Sequence, residues 1–455
     1  MLINPKAKRI IEILEFSGYE AFIVGGCVRD LILGVMPKDW DITTNALPEQ
    51  MLTVFKDYHT IPTGLKHGTI TVMLDHEPFE VTTYRIDGEY SDNRRPDTIK
   101  YSSSLIEDLA RRDFTMNAIA YNPKTGIVDP FCGQEAIRAN VINTVGNADE
   151  RFREDALRML RCIRFACQLG ATIDGVVYDS LCRNRERIQW ISMERIREET
   201  NKILISDFPS RGISLLYKTG LLRYFLPEIC SLADFDQHNP HHHKDVLEHT
   251  MLVLDAVPNT LSLRWAALMH DIGKPAAFSL GEDGIGHFYE HHKLGADMAR
   301  DILLRLKFDH DTVKKVGILV YNHMYRYDTL RTASIKRFIT RVGVDNLDDL
   351  FALQLADVQG SKPPHDFSKI IRQRKEVERI LNQKEPLALK DLKVNGNDLR
   401  MIGFEPGKRL GDTLRYLMEE VLQNPELNNK NILLGMADTI RNSNSVTANL
   451  KRKDT

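Results

Sequence analysis

The stretch GGCVRDLILGVMPKDWDITTNA (25–46) carries the side chains best placed to do chemistry. Asp39 and Asp41 flank Trp40, and in a strand residues i and i+2 point to one face, so the two carboxylates are expected to stand together. Such a pair suits Mg²⁺ ions that bridge substrate phosphates and activate an attacking hydroxyl. Gly25 and Gly26 close an apolar run, and without a Cβ their backbone N–H groups can approach a phosphate closely. Arg29, one helical turn on, is placed to pair with a phosphate oxygen. A lone Asp-X-Asp is commonly solvated charge and a lone Gly-Gly commonly a turn; joined at this distance they argue for a phosphate-handling site. Glu80, on an expected strand, is either a third carboxylate for that site or a partner for Arg85.

A second set lies in EDALRMLRCIRF (154–165), where Asp155, Arg158, Arg161 and Arg164 recur at i, i+3, i+6 and i+9 and drift slowly round one side of a helix. A carboxylate acceptor beside an arginine fork can offer a hydrogen-bonding edge to a nucleobase. The plainer alternative is a salt-bridged surface, since residues 151–200 hold ten Arg and eight acids.

The elements that must position these groups change along the chain. AFIVGG (21–26), GTITVML (68–74) and FEVTTYR (79–85) read as strands bounded by Gly, Pro or charge, and 106–121 has helical spacing. From Arg151 onward strand signals are few: RFREDALRMLRCIRFACQLG and ISMERIREETNKILI are amphipathic helices, the latter opened by Ser192. Polar stretches at 232–245, rich in His238, His241, His242 and His243, and at 358–369, with Pro363-Pro364, look like joints around a helical block. A charged helix (370–384) and two turn-framed helices follow, where Lys408 and Arg409 could meet phosphate, and the C-terminal end is polar.

Composition bounds the function. The chain has 455 residues, enough for about three domains, with 42% hydrophobic and 27% charged residues. That excludes a disordered chain and a disulfide-stapled miniprotein. Lys+Arg 61 against Asp+Glu 63 leaves a formal net charge of −2, so a polyanion must be held by local patches. Six cysteines without a CxxC pair, and an N-terminus without a secretory apolar region, point to a reducing, cytoplasmic setting. No stretch reaches the ~20 apolar residues of a membrane helix.

GGCVRDLILG…DWD resembles the polymerase β-like nucleotidyltransferase motif of class II tRNA nucleotidyltransferases, the family of CCA-adding enzymes and bacterial poly(A) polymerases. RRDFTMNA (111–118) is similar to the second motif of the family, which makes Arg111, Arg112, Asp113 and Asn117 nucleotide-contacting residues. DGEYSDNRRPD (87–97) resembles the loop used for adding A, EDALRMLRCIRF the EDxxR templating motif, and SMERIREE (192–199) the neck-helix motif. The resemblance spans residues 15–230. It implies that Asp155 and Arg158 pair with incoming CTP or ATP, while Arg161 and Arg164 serve phosphate or stacking roles. TGLKHGTITV (63–72) looks like the CCA-adding version, leaving an A-adding enzyme or a poly(A) polymerase as the close alternatives.

VLEHTM, ALMHDIGKPA, HFYEHHKLGADMA, YNHMYR and LQLADVQGS resemble the HD phosphohydrolase pattern. The resemblance makes His249, His270, Asp271 and Asp357 the core ligands, with His291 (or His292) and His323 as the additions of binuclear members. Imidazoles and carboxylates of this kind suit Mn²⁺, Fe²⁺, Co²⁺, Ni²⁺ or Mg²⁺, and Asp271 can bridge two ions.

The expected fold is therefore α+β: a polymerase β-like nucleotidyltransferase head (1–140), then an all-helical neck (141–232), HD-type body (233–365) and tail (366–455). The expected partners are the tRNA 3′ end, CTP and ATP, with Mg²⁺ at the head and a divalent transition metal or Mg²⁺ in the body. A membrane or an obligate protein partner is not expected. The rival from another class is a phosphohydrolase acting mainly on 2′,3′-cyclic phosphates or similar ends.

Overall fold

The computed structural model describes residues 2–62, 64–88, 99–233, 235, 245–282 and 284–442. Most of the 87–97 loop and the histidines at 238 and 241–243 lie outside the described residues. Contacts divide the chain into two units, residues 1–231 with 302–308, and residues 232–301 with 309–455.

The first unit is organised by a seven-stranded sheet: β1 (Ala21–Val24), β2 (Asp41–Thr44), β3 (His59–Ile61), β4 (Thr69–Leu74), β5 (Glu77–Thr83), β6 (Ala120–Asn122) and β7 (Gly126–Val128). Their spatial order is β3-β4-β5-β2-β1-β6-β7, antiparallel throughout except for the parallel pair β2–β5. β1 is buried on both faces, and its period-2 alternation feeds two cores. Ala21 and Ile23 join Ile10, Ile11 and Leu14 of the first helix, with Phe55, Phe79 and Val81. Phe22 and Val24 join Tyr84, Leu109 and Ala118 on the other side. A strand fixed on both faces holds its C-terminal end rigidly, and there Gly25 turns the chain into the helix Gly26–Ile32.

Two expectations fail locally. The helical spacing of 106–121 yields a helix only over Leu105–Ala110; a 3-10 turn over Thr115–Asn117 follows, and then β6, because pairing of Ala120 and Tyr121 with β1 overrides local pattern. The amphipathic run after Arg151 is two helices, Ala148–Glu154 and Leu157–Gln168, broken at Asp155, which has φ −142 and ψ 105. The break arises because the Asp155 carboxylate accepts from the N–H of Leu157 at 3.0 Å, a side-chain bond that competes with the helical ladder. Asp155 is thus set apart from the helix that carries Arg158, Arg161 and Arg164.

In the second unit the helices Val246–Ala256, Leu261–Met269, His310–Asn322 and Leu347–Gly360 pack around a buried polar centre. Tail helices Lys408–Gln423 and Lys430–Asn442 share a core of Leu399, Leu417, Val421, Leu433 and Ala437. Among the described residues past 140, strand pairing is confined to a parallel two-residue pairing of Val141–Ile142 with Thr172–Ile173, a bridge of Thr144 to Phe114 and a hairpin of Phe278–Leu280 with Gly286–Phe288. Among the described residues no helix is long and apolar enough to cross a membrane.

Candidate active site

The second unit holds a crevice of about 850 Å³, but the chemistry of the first unit converges on another, of about 620 Å³. The latter is lined by Gly25, Gly26, Arg29, Asp39, Asp41, Arg111, Arg112, Asp113, Asn117, Asp155, Arg158, Arg161 and Arg164, together with Leu157, Phe165, Gln168 and Arg195. The head and neck residues singled out in the sequence therefore face one space, except Glu80, which is not among its lining residues.

Its floor is the end of β1. Gly25 sits at φ +80, and a Cβ there would lie 2.9 Å from the Arg112 guanidinium, so only glycine lets the arginine close over the turn. Asp41 opens β2 and Asp39 lies in the bend before it, so the pair spans a strand end. Glu80 is the register partner of Asp41 on β5, while Arg85 donates to the carbonyl of His67. Enclosure in the crevice raises the Asp41 carboxyl above its ordinary range; Arg112 opposes this, and the charges of Glu80 and Asp39 add to it. Asp39 and Asp41, which both line the crevice, offer the oxygen donors that hard divalent cations take.

The basic wall is tightly organised. Asp108, fully buried, takes Arg111 at 2.7 Å and Arg112 at 3.3 Å; burial works against its charge, but the two guanidinium groups hold its carboxyl below the usual range. Asp113 accepts from Arg161 at 2.6 Å, from Asn117 at 3.2 Å and from the N–H of Phe114 at 2.8 Å. Burial opposes ionisation there too, yet Arg161 and Arg158 bring the Asp113 carboxyl down to about 2. Arg29 donates to Asn117 at 2.7 Å, and Arg164 packs 4.3 Å over the Phe165 ring while paired with Glu199 at 3.2 Å. Asp113 and Asn117 are thus organisers of arginines, a role their position in a motif did not reveal.

At the crevice mouth both Asp155 oxygens engage Arg195, at 2.8 and 3.3 Å. Arg158 is held by Glu154 and by the carbonyls of Arg111 and Arg151, each at 3.2 Å. Arg195, forty residues from Asp155, lies within the SMERIREE stretch (192–199), but nothing in the sequence signalled its pairing with Asp155.

The second unit holds a separate centre. His249 Nε2 lies 3.2 Å from His270 Nε2 and 3.2 Å from Asp357 Oδ1. Asp271 turns Oδ2 toward His270 at 3.3 Å and Oδ1 toward His291 and His323 at 3.5 and 3.7 Å. Two triads, His249–His270–Asp271 and Asp271–His291–His323, each bring their ligand atoms within 4.8 Å of one another and share the aspartate. His270, His291 and His323 have Nδ1 on the carbonyls of Ala267, Phe288 and Val320 at 2.8, 2.8 and 2.7 Å, which leaves each Nε2 lone pair facing inward. The Nε2 atoms of His291 and His323 are buried without a hydrogen-bond partner. This is a donor set that fits a pair of divalent metals. It is His291, rather than His292, whose ring nitrogen comes within this group. Sequence reading missed Lys274, 2.7 Å from Asp271, and Arg326, paired with Asp357.

Comparison with known proteins places these centres among relatives. Residues 21–143 match the family described as the poly A polymerase head domain, residues 170–232 a probable RNA- and SrmB-binding site of polymerase A, and residues 241–359 the HD domain. A CCA-adding enzyme of Bacillus cytotoxicus is 32% identical over 437 residues, covering 94% of this chain and 97% of that one. A CCA-adding enzyme of Geobacillus kaustophilus is 48% identical over 219 residues, 48% of this chain; in that match the chain spans about half the relative, 54% of its length. The crystal structure of the Bacillus stearothermophilus CCA-adding enzyme in complex with CTP superposes with a TM-score of 0.73 at 29% identity, over 100% of both chains.

Proposed function

The chain belongs to the CCA-adding enzyme family, and on that premise we propose that it completes tRNA 3′ ends with C, C and A from CTP and ATP, using no nucleic-acid template. The observation that carries this reading is that one crevice joins the Asp39/Asp41 pair to the Asp155/Arg158 edge. Asp39 and Asp41, with Glu80 beside them, would hold the divalent ions; bound there, Mg²⁺ supplies activation of the 3′-hydroxyl and neutralisation of the triphosphate. Gly25 and Gly26 present the turn, and Arg29, Arg111 and Arg112 the positive charge, to the triphosphate. Asp113 and Asn117 fix the directions of Arg161 and Arg29. Asp155 and Arg158 offer the base its edge, and Arg161 and Arg164 line the path to it. Head (1–140) and neck (141–232) thus divide transfer and base choice, the tail (366–455) serves RNA, and six cysteines without a disulfide among them suit a reducing cytoplasm.

The test presents tRNAs ending at the discriminator base, at C and at CC with CTP, ATP or both, and reads products at single-nucleotide resolution. Growth of all three to CCA followed by arrest is expected. Extension of only the CC-ended tRNA by one A, or an unlimited A ladder, would replace this reading with an A-adding enzyme or a poly(A) polymerase.

Arg195 is expected to matter for choice rather than for transfer. It holds both oxygens of Asp155, so Arg195→Met should release the carboxylate and lower CTP-over-ATP discrimination by about ten- to a hundredfold, with the Mg²⁺ requirement unchanged. Arg195→Lys, which keeps charge but loses the fork, should fall between. Unchanged discrimination in both variants would remove Arg195 from base selection.

The paired triads favour a second activity in the body (233–365). We infer that His249, His270, Asp271, His291, His323 and Asp357 hold two divalent ions, which when bound supply a hydroxide for phosphoester hydrolysis. Asp271 would bridge, and Lys274 and Arg326 would set the charge around the two carboxylates.

A further inference from the structure

Asp108, on the short helix Leu105–Ala110, is fully buried and does not line the crevice of the first unit. Its Oδ1 accepts from Nε and a terminal nitrogen of Arg111 at 3.0 and 2.7 Å. Its Oδ2 accepts from Arg112 at 3.3 Å and lies 3.3 Å from the Thr43 hydroxyl, which is shared with the carbonyl of Thr82 at 3.2 Å. Thr43 stands on β2 two residues beyond Asp41, so the strand that brings Asp41 to the crevice also braces Asp108. Arg112 is the more lightly anchored arginine. Its Nε is buried without a hydrogen-bond partner, and its other terminal nitrogen lies over the Gly25 turn, 2.9 Å from where a Cβ would stand. Its charge also reaches Asp41, whose carboxyl it draws down against the pull of burial. The guanidinium thus stands between the glycine turn and the carboxylate pair, and the contact that aims it there is the one to Asp108.

We propose that Asp108 is a positioning residue for nucleotide transfer, which acts through Arg112 to fix how the triphosphate is held. An arginine free in solvent loses rotamer freedom each time it meets a phosphate; one held by a buried carboxylate has lost it in advance. Arg111, with two nitrogens on Oδ1, keeps the carboxylate from turning, and Thr43 steadies the other oxygen. Two guanidinium groups against one carboxylate leave a positive charge uncompensated, so Asp108 orients the pair without cancelling it. The inference rests on the crevice being the triphosphate site.

The test measures equilibrium binding of CTP, CDP and CMP to the full chain in Mg²⁺ without tRNA. Asp108→Asn keeps the shape but turns an amide donor toward a guanidinium, so an arginine loses its acceptor. CTP affinity should fall about ten- to a hundredfold and CDP affinity less, with CMP within about twofold of native and ATP falling as far as CTP. Arg112→Gln alone should lose as much CTP affinity, and adding it to Asp108→Asn should cost little more, because both remove one interaction. Should Asp108→Asn fail to fold, Asp108→Asn/Arg112→Gln removes the buried charge together with a partner, and its CTP affinity should equal that of Arg112→Gln. Thr43→Val, which leaves both guanidinium contacts in place, should melt lower yet keep the native dependence on phosphate number. Native CTP affinity in Asp108→Asn, an equal loss for all three nucleotides, or full additivity with Arg112→Gln would each overturn the role of Asp108 alone. Equal affinity of the native chain for CTP and CMP would overturn the triphosphate reading of the crevice, and this inference with it.

Discussion

Asp39→Ala and Asp41→Ala are each expected to lower CTP incorporation by about a thousandfold or more while the chain stays folded. Removing a group that holds transition-state charge costs several kcal/mol of barrier, and each 1.36 kcal/mol is a factor of ten. The fold should not suffer, and the sign follows from Asp41. Its carboxyl is raised by enclosure and by the charges of Glu80 and Asp39. A carboxyl raised on folding binds more protons in the native state than in the unfolded one, so its stability contribution falls as pH rises from the ordinary carboxylate value through the raised one. At neutral pH the three acids repel one another. Asp41→Asn, measured in chelator, should melt no lower than the native chain, and higher if the repulsion is felt, while incorporation is lost. An Asp39→Ala or Asp41→Ala chain that still incorporates nucleotide would move the reaction elsewhere. A clear fall in melting temperature for Asp41→Asn would show that the residue is structural.

That a functional pair should stand in mutual repulsion explains why part of the site could be read from sequence and part could not. Gly25-Gly26 followed by Arg29 is a local arrangement, a strand end, a turn and a helix start within one stretch, whereas Asp39 lies in the bend before β2 and not in the strand that the i, i+2 spacing implied. Glu80 depends on the parallel register that sets it opposite Asp41, a pairing across 39 residues on which local alternation is silent. The same holds for Arg195, which reaches Asp155 across a helix break that periodicity read as continuous helix. The pattern at 154–165 favoured one face because arginines at three-residue spacing repeat through it; the carboxylate at its head left the helix to bond the backbone instead. In the body the histidines were legible by type, but their tautomers were not. The carbonyls of Ala267, Phe288 and Val320 make three Nε2 atoms point inward, and these come from turns and helix ends far apart in the chain.

Gly273→Ala is expected to damage the second centre more than any exposed substitution near it. In the turn that follows His270 and Asp271, a Cβ on Gly273 would lie 2.3 Å from the carbonyl oxygen of His291 and 2.7 Å from the N–H nitrogen of Gly295. Both obstacles are backbone, so no rotamer change can relieve them. The helix that begins at His291 must retreat from the turn. That helix start carries His291, whose Nε2 is 3.5 Å from Asp271 Oδ1, so retreat opens the triad Asp271–His291–His323. Overpacking of a well-filled interior costs about 1–3 kcal/mol, and a displacement near 1 Å at a reacting site can cost about a hundredfold. The expected result is a lower melting temperature together with a drop in bound metal from two ions toward one, and head-dependent CTP incorporation near native. Gly295→Ala, whose Cβ would meet its nearest atoms at 3.3 and 3.6 Å, should be milder in both respects. Asp271→Asn separates packing from ligation: it removes the shared charge without adding volume, so it should empty both positions and leave the backbone contact intact. Native metal content and melting temperature in Gly273→Ala would mean that the turn and the helix do not approach as closely as described. Native metal content in Asp271→Asn would mean that the aspartate does not bridge.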